Sequence, residues 1–165
     1  MIAVEVHREI ALPADVVWEE IRHFDRVLHW IPGGETSRIN VRGEGVGAVR
    51  DIHLSTQGYV QHRLVEYDNS KRSFSYELTA GKPIGMQDYV VVASVVPLDA
   101  GRCTLSWSGR MSADSTLNEE AVGDALKVAL SNMTTGIIAR LSGEQPNFER
   151  QPNEDWQLRQ QGRPV

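Results

Sequence analysis

Little in this sequence invites a covalent or metal-based reading. It has one cysteine, Cys103, in 165 residues, so no internal disulfide can form, and that usage suits a reducing compartment. Basic residues are outnumbered, 17 Lys and Arg against 22 Asp and Glu for a net charge of −5, which argues against a general affinity for nucleic-acid phosphates. No apolar run approaches the roughly 18–20 residues that a membrane-crossing helix needs. The opening MIAVEVHREI lacks the basic-then-apolar order of a signal peptide. Five histidines, His7, His23, His29, His53 and His62, show neither H-x-H nor HExxH spacing, so no metal site is expected. G-x-S-x-G and the Gly-rich strand–helix fingerprint of dinucleotide binding are both missing, and the bend Arg42–Gly47 is too loosely spaced for a phosphate loop. The expectation is a cytoplasmic domain with no metal, no cofactor and no membrane span.

What is present is an order of elements. Val4, Val6 and Ile10 alternate as one face of a first strand. Pro13 then starts a helix whose stripe is Val17, Trp18, Ile21 and Phe24, with Trp18 read as core. Asp25 can cap a short second helix through Trp30, stopped at Pro32-Gly33-Gly34. A long series of strands follows from about Ile39 to Met111: 48–55, 59–67, 73–79, 89–96 and 102–111 are its clearest members. Their short turns imply antiparallel neighbours. One amphipathic helix, from about Leu117 to Leu141, closes the series with the stripe Val122, Leu126, Leu130, Met133, Ile137 and Leu141, and Gly143 is its expected C-cap. One helix cannot fill the concave face of so long a sheet. Either a second sheet packs there, or the sheet bends around the helix and leaves a hollow. Beyond Gly143 the chain is polar, with one isolated Trp156; a domain over 1–143 and a tail over 144–165 are expected.

Specific strings resemble the START-like, or helix-grip (SRPBCC), superfamily and its bacterial polyketide cyclase/dehydrase branch. They are PADVVWEEIRHFD with Trp30-Ile31-Pro32, then GEGVGAVRDIHL, VQHRLVEYD, Tyr76, Tyr89 and LSWSGRM, in family order over about Val4 to Leu141. The spacing is also similar to that of plant abscisic acid receptors and, more distantly, birch pollen allergens. The resemblance implies an α+β fold: a curved antiparallel sheet of about seven strands wrapped around a long C-terminal helix, with two short helices at one end. It also implies a cavity for a hydrophobic or aromatic small molecule. Superfamily members include enzymes, receptors and carriers, so the fold alone does not choose among them.

Alternation sorts the side chains. Arg50, Ile52 and Leu54 share the apolar face of their strand, with Asp51 and His53 on the other. Phe74, Tyr76 and Leu78 face inward, as do Leu105, Trp107 and Met111. Two strands are apolar on both faces; the resemblance points Val60, His62 and Leu64, and Tyr89, Val91 and Ala93, into the cavity. It also places Thr56-Gln57-Gly58 and the Gly81–Gly85 loop where abscisic acid receptors have their gate and latch, which makes Gln57 a mouth residue. The expected ligand wall is thus Ile52, Leu54, Gln57, Val60, Leu64, Phe74, Leu78, Val91, Trp107, Leu126, Leu130, Met133 and Ile137. Its expected polar set, the candidate catalytic residues, is Arg50, His62, Tyr76 and Tyr89.

His62 stands where relatives commonly carry a carboxylate, and an imidazole can serve as acid and base near neutral pH. As an unperturbed base it would lose activity on acidification near pH 6–7; alternatively it only hydrogen-bonds a ligand or the wall. Arg50 either anchors a carboxylate or enolate oxygen or pairs with an acid in the wall. Tyr76 and Tyr89 either polarise a carbonyl or are wall residues. The functions to be weighed are a cofactor-independent cyclase, dehydratase or isomerase, and a carrier or sensor without chemistry. The outward side of Val90–Val96 also needs cover, for which the tail or a homodimer partner are candidates.

Overall fold

The computed structural model describes residues 1–151; residues 152–165 of the expected tail, Trp156 among them, lie outside the described residues. Strand β1 (Ile2–Ile10) leads into helix α1 (Ala14–Ile21), then 3-10 turns at Val27–His29 and Gly34–Thr36. Six strands follow: β2 (Arg38–Arg42), β3 (Val49–Leu54), β4 (Gly58–Asp68), β5 (Ser73–Ala80), β6 (Met86–Asp99) and β7 (Arg102–Ala113), with a 3-10 turn at Pro83–Gly85 before β6. Helix α2 (Glu119–Ser142) is the last helix or strand among the described residues. The strands form one seven-stranded sheet in the order β1-β7-β6-β5-β4-β3-β2, with every neighbouring pair antiparallel. This is the helix-grip architecture, and no second sheet occupies the concave side among the described residues.

Local chemistry explains the boundaries. The Asn118 side chain accepts a hydrogen bond from the Ala121 N–H and caps α2, and Gly143 ends it in the left-handed region at φ 70°. The segment after Asp25 is shorter than expected, a single 3-10 turn at Val27–His29 in place of a helix. Trp18 is core, as its stripe implied: it is buried, and its indole N–H donates to Asn69 Oδ1 at 2.7 Å.

Side-chain hydrogen bonds tie the sheet to the helix. Arg8 of β1 donates to Thr135 Oγ1 (2.9 Å) and Ser131 Oγ (2.8 Å), and the Trp107 indole donates to Thr134 Oγ1 (2.9 Å). The turn carrying Trp30 crosses α2 at Gly136, where a Cβ would come within 1.9 Å of the Trp30 carbonyl oxygen. Only glycine permits that approach. On the convex side of β6, Val90, Val92, Val96 and Leu98 remain exposed; no described residue provides the cover this strip was expected to need.

Candidate functional site

Register builds the centre of the site. In the β3–β4 hairpin, Arg50 stands directly opposite His62, and Asp51 opposite Gln61. Directly opposed side chains on one face are near neighbours. On the convex face Asp51 accepts from Arg42, Tyr59 (2.6 Å) and Gln61 (2.9 Å), which pins the register. On the concave face the Arg50 Nε–H donates to His62 Nδ1 at 3.0 Å, and its Nη1–H donates to the Phe24 carbonyl at 3.0 Å.

Arg50 is only 3% exposed, yet no carboxylate reaches it among the described residues. The alternative of an acid partner in the wall is therefore overturned. The buried acid of α1, Glu20, is held by Arg26 and Arg140 instead. In place of a counter-ion Arg50 has aromatic faces: its guanidinium carbon lies 4.2 Å from the Phe24 ring centroid and 4.5 Å from that of Tyr76, and cation–π attraction offsets part of the desolvation. Burial pulls the guanidinium's pKa down, with the Tyr76 and Tyr89 phenols pushing it back; it remains a cation.

The same burial decides the state of His62. Burial, and secondarily the Arg50 charge, hold its pKa well below the usual histidine value, so the ring is neutral. Because Nδ1 accepts from Arg50, the proton sits on Nε2. The imidazole thus offers a donor, and its expected titration near pH 6–7 is corrected to a lower range. The Tyr76 ring packs against it tilted by 43°, centroids 4.7 Å apart, and meets Tyr89 edge-on at 6.0 Å. The Tyr89 hydroxyl is buried with no hydrogen-bond partner among the described residues, and burial raises its pKa well above the ordinary phenol value. All four residues of the expected polar set converge: Arg50, His62, Tyr76 and Tyr89 line one cavity of about 200 Å³.

The rest of the wall is mostly apolar. Ile52, Leu54, Gln57, Val60, Leu126, Leu130 and Met133 line the cavity as expected. Six expected residues do not. Leu64, Phe74 and Trp107 border a void of only about 10 Å³ deeper under the helix. There Phe74 packs edge-on against Trp107 at 6.4 Å and against Trp18 at 6.1 Å, so aromatic packing closes the hollow. Val91 and Ile137 are wholly buried in the core, and Leu78 packs partly buried against it, outside the wall. Inward parity was right for these side chains; it does not say where along the sheet the hollow ends.

Sequence reasoning missed three contributions. The turns after α1 supply Val27, Ile31 and Pro32. The two expected mouth loops do meet, through Ile84 N–H donating to Gln57 Oε1 at 3.1 Å, and Ile84 joins the wall with a left-handed backbone at φ 49°. Asn132 of α2 and Gln151 beyond it also line the cavity. Asn132 falls between the stripe residues Leu130 and Met133, a polar group on a buried arc that could have been flagged.

Among the described residues no cluster of His, Cys, Asp or Glu could hold a metal ion, and no helix is long and apolar enough to cross a membrane. The site is therefore an apolar hollow with hydrogen-bond donors gathered around one buried cation.

Comparison with solved structures gives the same architecture. The chain is similar to the protein XoxI from Bacillus cereus (17% identity, 86% of this chain and 96% of that one, TM-score 0.73). It is similar to norcoclaurine synthase from Thalictrum flavum (18%, 87% and 87%, TM-score 0.66) and to the Zhui aromatase/cyclase from Streptomyces sp. R1128 (18%, 86% and 92%, TM-score 0.63). Likeness at this identity speaks for the fold alone. No curated protein matches the sequence. The model of one family, described as polyketide cyclase / dehydrase and lipid transport, matches residues 1–142. The chain, with its seven strands wrapped on α2 and its apolar hollow, belongs to the polyketide cyclase/dehydrase and lipid transport family.

Proposed function

We propose that the cavity binds a small, mostly apolar molecule, aromatic in its bulk, that carries a carbonyl or acidic oxygen, and that this oxygen seats against Arg50. The observation that carries the reading is a buried guanidinium without a carboxylate partner among the described residues. Such a charge is costly unless something negative or strongly polarised meets it. The Tyr89 hydroxyl and the His62 Nε2–H add two further donors on the same wall.

Donors aimed at one oxygen stabilise an enolate as well as a carboxylate. The catalytic form of the reading is cofactor-independent cyclase or dehydratase chemistry, in which Arg50, Tyr76 and Tyr89 hold the developing oxyanion and His62, once its Nδ1 is released from Arg50, takes a proton from the substrate carbon beside the carbonyl and returns it to the oxygen that leaves as water. The aromatase/cyclase and norcoclaurine synthase among the similar structures fit that form. One observation favours a carrier or sensor instead: no carboxylate lines the cavity among the described residues, and the Nδ1 lone pair of His62 is already taken by Arg50. A base would have to come from the substrate or from release of that bond.

Mass spectrometry of what co-purifies with the protein identifies the ligand, and incubation with it separates the two forms. In an enzyme, His62→Gln keeps affinity within a few-fold while turnover falls roughly 10²–10⁴-fold, the scale of a lost acid–base group. Glutamine can still accept from Arg50 through its carbonyl, so the pocket keeps its shape. Turnover equal to wild type ends the catalytic role of His62; absence of any turnover leaves the carrier.

A further inference from the structure

The chain does not leave the domain at Gly143. The Asn132 side chain, 2% exposed in the middle of α2, makes two opposed bonds to one backbone position: its Nδ2–H donates to the Glu149 carbonyl at 2.9 Å, and its Oδ1 accepts from the Glu149 N–H at 2.8 Å. An asparagine amide used this way grips an extended segment as a neighbouring strand would, and a helix interior has little other use for a buried asparagine. Two residues on, Gln151 reaches the cavity wall. Its Oε1 is buried and meets no hydrogen-bond partner among the described residues. A buried carbonyl held in that position asks for a donor that no described residue supplies.

We propose that residues 144–151 form a strap that closes the cavity, fastened by Asn132, and that Gln151 is a specificity residue accepting a hydrogen bond from a hydroxyl on the bound molecule. The inference rests on the reading of this cavity as a ligand site and narrows its ligand: an aromatic or hydrophobic acid or ketone that also carries a hydroxyl. Arg50, a donor, reads the acidic or carbonyl oxygen; Gln151, an acceptor, reads the O–H. Asn132 acts through the strap and is a positioning residue.

The probes are 2-methylnaphthalene, 2-naphthoate and the ring-hydroxylated 2-naphthoates, titrated calorimetrically into the full chain. In wild type, at least one hydroxyl isomer binds roughly 3- to 10-fold tighter than 2-naphthoate, the scale of one net hydrogen bond. In Gln151→Leu that preference drops to within about twofold; Asn132→Ala removes the preference in the same way. A preference that is absent in wild type, or that survives Gln151→Leu, overturns the specificity role. If 2-naphthoate binds no tighter than 2-methylnaphthalene, the anion reading of Arg50 fails on its own. Hydrogen exchange tests the strap without any ligand. The Glu149 amide is expected to exchange far more slowly than those of its neighbours, and to lose that protection in Asn132→Ala. Exchange of the Glu149 amide at the free-peptide rate in wild type overturns the strap whatever the probes do.

Discussion

Replacing Arg50 with methionine should separate stability from binding, because the two respond with different signs. The substitution keeps an apolar stem against Phe24 and Tyr76 and removes the charge. Two acceptors lose their donor, the Phe24 carbonyl and His62 Nδ1, at about 1–3 kcal/mol each. Against that, a cation that is 3% exposed and has no carboxylate partner among the described residues no longer has to be desolvated, a gain of several kcal/mol by general experience. The terms nearly cancel, so the unliganded variant should lie within about 2 kcal/mol of wild type, or about 8 °C in Tm at most. Binding has no such compensation. Loss of a charge-assisted hydrogen bond is worth about 1.5–3 kcal/mol, so 2-naphthoate should bind roughly 10- to 150-fold more weakly, while 2-methylnaphthalene changes by less than about threefold. Denaturant unfolding and calorimetry on the same preparations read both quantities. Destabilisation beyond about 4 kcal/mol would mean that Arg50 has a structural partner of the buried-ion-pair kind. Equal loss of affinity for acid and hydrocarbon would refute the oxyanion seat.

Other expectations follow from neighbouring groups. His62 is held neutral when folded, so below pH 6.5 the unfolded chain takes up a proton that the folded one refuses; its share of stability is full above that pH and is lost on acidification by about 1.4 kcal/mol per pH unit until the lowered pKa is reached. The difference between wild type and His62→Gln in unfolding free energy, measured from pH 8 to 5, should show that slope, and a pH-independent difference would contradict the neutral assignment. Tyr89→Phe removes a buried hydroxyl without a partner and should leave thermal stability unchanged or raise it by up to about 1–2 kcal/mol, while weakening 2-naphthoate; a clear loss of stability would mean that the hydroxyl is bonded. Gly136→Ala must push the Trp30 turn off α2, costing about 1–3 kcal/mol or more in chemical unfolding; a neutral result would place that turn farther from the helix.

Much of this arrangement was legible in the chain. The 3.6 period of 122–141 and the alternation of the strands gave one long helix after an antiparallel sheet, the family resemblance gave the grip of one on the other, and parity alone sent Arg50, Ile52 and Leu54 to one side. The Arg50–His62 pairing was within reach of the sequence but not read from it: a hairpin centred on Thr56 sets residue 50 opposite residue 62, as it sets Leu54 opposite Gly58. Three things were not. Parity cannot locate where a curved sheet closes on itself, so Leu64, Phe74 and Trp107 were placed in the cavity although aromatic packing had filled their end. The His62 pKa depends first on how deeply packing buries the ring and second on the Arg50 charge across the hairpin, so its protonation state could not be assigned from its own strand. The contribution of Gln151 depends on a grip by Asn132, a contact between a helix interior and an irregular segment that no periodicity encodes.

The most direct test is a crystal structure of the full chain with 2-naphthoate bound. The expected result is the carboxylate at about 3 Å from the Arg50 guanidinium, with the rings between Ile52 and Val60 on the sheet and Leu126 and Leu130 on α2. A naphthoate that lies in the cavity with its carboxylate turned away from Arg50, or that binds only outside it, would contradict the oxyanion seat.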